Sequence, residues 1–107
     1  MNLVNDIEQL KQLVEDQQLC LLYIQAPDCG LCSVMLGKVE QAMQRFSELC
    51  AARVELHVVP QVTGEFLVAT APTVLLFVNG KEVYRAGTFI NVRELECEIE
   101  KWNKVIN

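Results

Sequence analysis

The chain has 107 residues, 51% of them hydrophobic and 21% charged, with a formal net charge of -5. That composition fits one folded domain able to bury a core, and it excludes a disordered chain. Nine basic against fourteen acidic side chains leave no Lys/Arg cluster to follow a phosphate backbone or an anionic lipid surface, so neither nucleic acid nor membrane is expected as a partner.

Residues 1–15 are polar and acidic with interleaved apolar side chains, unlike the basic start and unbroken apolar run of a secretory signal. No apolar run reaches bilayer-spanning length; the longest, such as Val74 to Val78, is strand-sized. Five cysteines cannot all pair within one chain. In a reducing compartment Cys20, Cys50 and Cys97 are expected as free thiols, and a cytoplasmic location follows as the expectation.

Leu3, Ile7, Leu10, Leu13 and Val14 follow helical spacing, with Asn5 or Asp6 as the cap. Leu19 to Ile24 is almost continuously apolar, as in a strand buried on both faces of a parallel sheet. Pro27 and Gly30 break it. A long helix is predicted from Leu31 to Cys50, carrying Val34, Met35, Val39, Ala42, Met43, Phe46 and Leu49, with Gly37 weakening it. Arg53 to Val59 alternates as a two-faced strand ended by Pro60. Thr63 can cap a short helix to about Val68. Val74 to Val78 reads as a strand, Asn79-Gly80 as a hairpin turn, and Lys81 to Ala86 as the returning antiparallel strand, which Gly87 interrupts or ends. Asn91 caps a last helix to about Asn103, with Val92, Leu95, Ile99 and Trp102 as its stripe. The order predicts an α/β fold: a four-stranded mixed sheet, a parallel βαβ unit plus an antiparallel hairpin, between helices.

The chemistry-bearing motif is Cys29-Gly30-Leu31-Cys32, at the junction of the first apolar strand and the long helix. Residues three apart share one face of a helical turn, so the two sulfurs can close a small-ring disulfide with little rearrangement. Free N–H groups and the dipole at a helix start favour a thiolate, the attacking species in disulfide exchange. Cys29 is therefore expected as the exposed nucleophile and Cys32, one turn in, as the buried resolving thiol. Gly30 permits tight entry to the helix and leaves room for a substrate disulfide. A closed zinc site needs about four ligands. There is no second CxxC, and Cys20, Cys50, Cys97 and His57 are scattered singly, so no metal is expected. His57 reads as a surface or structural residue on a strand's polar face, and Trp102 as a packing anchor. Cys20 and Cys97 read as core residues of a strand and a helix.

With these elements in place the chain resembles the thioredoxin family over nearly its whole length. The resemblance rests on the apolar strand before CxxC, the long helix after it, Ala71-Pro72-Thr73 about forty residues on, the Asn79-Gly80 hairpin, Gly87 and the amphipathic last helix. It implies a thioredoxin-like fold and thiol–disulfide oxidoreductase activity on protein disulfides. A thiol reductant of unidentified nature would recycle the site, and no bound cofactor would be required. It also implies a cis Ala71–Pro72 bond lying against CxxC. Asp28, Gly30, Leu31, Ala71, Pro72 and Gly87 would then shape the substrate groove.

The chain departs from the family pattern in several places. Asp28 and Leu31 stand where thioredoxins usually have Trp and Pro, and Asp28 sets a negative charge beside Cys29 that opposes a thiolate. Tyr23 occupies the position of the family's buried Asp, and Glu55 that of its Lys companion; a Tyr23–Glu55 hydrogen bond can replace that pair, or the two are unrelated. The opening helix leaves no usual first strand. These departures keep open a second reading, a thioredoxin-like binding or adaptor module with a sluggish or unused CxxC.

Overall fold

The computed structural model describes residues Met1–Asn107. In chain order the elements are β1 (Asn2–Leu3), α1 (Ile7–Asp16), β2 (Leu19–Gln25), α2 (Gly30–Met43), β3 (Cys50–Glu55), α3 (Val62–Phe66), β4 (Thr73–Val78), β5 (Lys81–Gly87) and α4 (Val92–Ile106). They build one five-stranded sheet in the order β1-β3-β2-β4-β5. β1 and β2 run parallel to β3, while β4 is antiparallel to β2 and to β5.

The period of two along the central strands sorts side chains into two cores. Cys20, Leu22 and Ile24 of β2 pack on one face with Ala52, Val54, Leu75 and Phe77, under Leu10 and Val14 of α1 and Val62 of α3. Leu19, Leu21 and Tyr23 pack on the other with Val74 and Leu76, under Met35 and Val39 of α2 and Leu95 and Ile99 of α4. Residues 19–24 are all buried, which is why the run reads as uninterrupted hydrophobicity. Burying each Leu or Ile here contributes about 1.5–3 kcal/mol. Truncating Leu22 or Leu75, both fully buried, to Ala costs about 2–5 kcal/mol through lost burial and the cavity left behind.

Local chemistry fixes the element ends. The Asp6 carboxylate accepts from the Gln9 N–H at 3.0 Å, and the Asn91 side chain accepts from the Glu94 N–H at 3.1 Å, satisfying donors that α1 and α4 leave free. The hairpin turns through left-handed Asn79 (φ 49) and Gly80 (φ 82), the conformations a two-residue primed turn demands.

The structure corrects the sequence reading at several points. α3 opens at Val62 with Gln61 at its cap position, so Thr63 lies inside the helix instead of capping it. The sheet has a fifth strand: Asn2 and Leu3 pair with Ala52 and Arg53, so the family's first strand survives as a short edge. The long helix stops at Met43, not Cys50. The Phe46 N–H turns back to the Met43 carbonyl at 2.9 Å, and Phe46 and Leu49 pack on the α2–α4 core from a turn. Cys50 consequently opens β3, where it stacks against the α1-side core. β3 ends at Glu55 because the Val58 and Val59 N–H groups return to the Glu55 carbonyl, which puts His57 in an exposed turn. Cys97 is exposed, not core.

Candidate functional site

Beyond Gln25 the chain leaves the sheet, turns through Pro27-Asp28 and enters α2. Asp28 holds φ 57, the left-handed region that Asp tolerates better than most non-glycine residues. That turn delivers Cys29 as the N-cap of α2, with its own backbone extended at φ -107. In place of a capping oxygen, Cys29 Sγ accepts from the Cys32 N–H at 3.2 Å. A backbone donor aimed at the sulfur at a helix start stabilises negative charge there. Cys29 and Cys32 are joined as a disulfide across a Cα separation of 5.3 Å, in the ordinary range for such a bond. Cys29 is half-buried, whereas Cys32 is only 5% exposed. Cys29 is therefore the more accessible of the two sulfurs.

Behind the pair, the Tyr23 hydroxyl donates to the Cys32 carbonyl at 2.6 Å. The hydrogen bond considered between Tyr23 and Glu55 is therefore not formed; β2 aims the phenol at the first turn of α2 instead. Burial pushes the Tyr23 phenol up to about 12, so it stays neutral and able to donate at ordinary pH. Glu55 lies farther along the same face. With Gln25, Asp28, Cys29, Cys32 and Arg53 it lines a cavity of about 360 Å³. Arg53 is a residue the sequence reading missed. It is the cation of that cavity, held by donation from its Nε to the Met1 carbonyl at 3.2 Å. Its signal was its place two residues before Glu55 on an alternating strand.

The other wall comes from the start of β4. The Ala71–Pro72 bond is cis, Pro72 is buried, and the Ala71 carbonyl oxygen lies 3.8 Å from Cys29 Sγ. Thr73 Oγ1 donates to the Thr70 carbonyl at 2.7 Å, tying the approach to β4. Gly87 ends β5 beside this loop: a Cβ there would meet Thr73 Oγ1 at 3.4 Å and the Pro72 carbonyl at 3.7 Å. The Thr88 N–H donates to the Pro72 carbonyl at 2.9 Å, so the β5–α4 loop is pinned to the same rim. Phe89, next in that loop, is 77% exposed. It was also missed, although an aromatic between Gly87 and the helix cap Asn91 has no core partner in the strand or helix pattern.

The structure thus brings Asp28, Cys29, Gly30, Leu31 and Cys32 together on one turn, with Ala71, Pro72 and Gly87 packed alongside and Tyr23 and Glu55 beneath or beside it. His57 and Trp102 are elsewhere: His57 in its exposed turn, Trp102 on α4 with its indole donating to Glu98 at 3.2 Å.

A two-sulfur couple at a helix start, walled by a proline loop on an α/β sheet, defines a thiol–disulfide oxidoreductase. The thioredoxin family model matches residues 2–101, and the chain belongs to that family. Among curated proteins it is similar to the thioredoxin-like protein YdfQ of Bacillus subtilis, 24% identical over 98 residues that cover 92% of this chain and 88% of YdfQ. Oxidised thioredoxin from Plasmodium falciparum superposes with a TM-score of 0.84 at 20% identity, covering 95% of this chain and 97% of its own. Thioredoxin from Trypanosoma brucei brucei does so with a TM-score of 0.85 at 20% identity, covering 95% and 89%.

Proposed function

We propose that this chain exchanges its Cys29–Cys32 couple with protein disulfides, with Cys29 as the attacking and Cys32 as the resolving sulfur. Starting from the reduced form, the Cys29 thiolate attacks one sulfur of a substrate disulfide. A Cys29–substrate disulfide forms, the substrate bond breaks, and the departing substrate thiolate takes a proton. Deprotonated Cys32 then attacks Cys29 Sγ, closing the Cys29–Cys32 disulfide and releasing the second substrate thiol. A thiol reductant returns the site to the dithiol. The observation that carries this reading is the pairing of a half-exposed Cys29, 3.8 Å from the Ala71 carbonyl, with a sheltered Cys32.

The surroundings support defined roles. The Ala71 carbonyl borders Cys29, and Pro72, Gly87 and the exposed Phe89 belong to the loops beside it, a rim that suits an extended peptide carrying the target disulfide. Glu55 and Cys32 line the same cavity, and in this reading Glu55 takes the Cys32 proton while Tyr23 holds the helix turn through the Cys32 carbonyl. Free Cys20, Cys50 and Cys97 suit a reducing compartment such as the cytoplasm.

One observation favours the alternative of a docking module with an idle couple: Asp28 places negative charge directly before Cys29. Trapping separates the two. A Cys32→Ser variant should accumulate mixed disulfides through Cys29 when presented with disulfide-bonded protein substrates, and Cys29→Ser should accumulate far fewer. Equal trapping by both variants overturns the assigned roles, and no trapping by either supports the docking module.

A further inference from the structure

Two further cysteines meet where neither sequence spacing nor the CxxC site requires it. Cys20 of β2 and Cys50 of β3 are direct partners in the parallel ladder. Register partners in a sheet point to the same face, and both side chains pack on the α1-side core. Adjacent strands hold paired residues about 4.7–4.9 Å apart, inside the roughly 4.4–6.8 Å Cα range that a disulfide spans. The pair lies five positions before Gln25 along β2, so it sits about 16 Å from the CxxC end at roughly 3.3 Å per residue.

Access is one-sided. Cys20 is 0% exposed. Cys50 is half-buried and lines a cavity of about 440 Å³ between α1 and the β1–β3 edge, with Leu3, Leu13, Gln17 and Ala51. We propose that Cys20 and Cys50 form a second redox couple, oxidised to a cross-strand disulfide by small disulfides that enter over Cys50. Nothing in the oxidoreductase reading above depends on it, because the two couples share no residue.

The chemistry is ordinary exchange. The Cys50 thiolate attacks a small disulfide RSSR, forming Cys50–S–SR and releasing RS⁻, which takes a proton. Cys20 then gives up its proton and attacks Cys50 Sγ, forming the Cys20–Cys50 bond and expelling the second RS⁻, which takes that proton. Two cysteine thiols are oxidised, one RSSR is reduced to two RSH, and no other reactant is needed. Burial, with the Cys50 thiol beside it, holds the Cys20 thiol well above the ordinary cysteine range. Cys50 is thus the point of entry and closure the slower step.

The test uses the folded chain with Cys29→Ser, Cys32→Ser and Cys97→Ser, which leaves only Cys20 and Cys50, incubated in native buffer with glutathione disulfide. Intact mass after acid quenching and peptide mapping read the outcome. The proposal expects loss of both alkylatable thiols, no retained glutathione, and a linked Cys20–Cys50 peptide. It also expects that adding Cys50→Ser leaves Cys20 reduced. A glutathione adduct that persists on Cys50 without closing, or both thiols still free after the wild-type Cys29–Cys32 couple has oxidised, overturns it. The wild-type chain, mapped after the same incubation, needs no substitution and must show the same second bond.

Discussion

Cys29 and Cys32 stand at the mouth of a helix on the rim of a polar cavity, whereas Cys20 and Cys50 stand side by side on a sheet face packed with Leu22, Ile24 and Val54. The first pair has a backbone N–H aimed at one sulfur and the Ala71 carbonyl at 3.8 Å from it. The second has a sealed sulfur and a half-buried one that lines a side cavity. On the proposed roles, the same residue type exchanges quickly in the first setting and slowly in the second. Solvation and local dipoles, more than proximity of sulfurs, set the difference.

The largest expected effect separates the pairs outright. Cys29→Ser should cut disulfide-reductase turnover by at least about a thousandfold, as removal of a reacting nucleophile does. Cys50→Ser should leave turnover unchanged, and steady-state insulin reduction checks both. Differential alkylation of the reduced native chain comes next: Cys29 should label well before Cys20, and the gap should close in urea, where burial no longer protects Cys20.

Tyr23 links the sheet to the active turn, so its effects are smaller but informative. Tyr23→Phe removes the 2.6 Å donation to the Cys32 carbonyl and should cost about 1–2 kcal/mol in urea denaturation. The pH dependence has a definite sign. The folded phenol is pushed up to about 12 from an ordinary value of 10.0, so its stabilising burial is intact below pH 10 and is lost as pH rises towards 12. The wild-type urea midpoint should fall through that window, and Tyr23→Phe should fall less steeply. The smallest effect belongs to Asp28. Neutralising its exposed charge in Asp28→Asn should raise the alkylation rate of Cys29 at neutral pH by about two- to fivefold, the scale of one unit charge acting through water.

What the sequence disclosed follows from how local each signal is. The CxxC turn, the Asn79-Gly80 hairpin and the Asn91 cap depend on a few adjacent residues with special backbone or side-chain chemistry, and all are found where expected. The end of α2 was hidden because Phe46 and Leu49 continue its apolar stripe and no Gly, Pro or capping residue marks the stop. Cys50-Ala51-Ala52 lacks the β-branched residues that announce a strand; β3 forms there because β2 offers a ladder partner. β1 is two exposed residues and exists only through pairing with Ala52 and Arg53. Cys97 was misplaced although it lies two positions from both Leu95 and Ile99, on the opposite side of the helix from that stripe. At the site, the cysteines and the proline loop were legible. The partner of Tyr23 and the arrival of Arg53 were not, because each depends on how α2 and β3 dock on β2.

The central claim, that Cys29 and Cys32 act as one couple, is tested most directly by equilibrating the wild-type chain with glutathione buffers of graded poise and mapping each thiol by mass spectrometry. The account predicts that both thiols disappear together in a single two-electron transition, with a Cys29–Cys32 disulfide as the product. Two free thiols at every poise, or separate glutathione adducts on the two sulfurs, would contradict it.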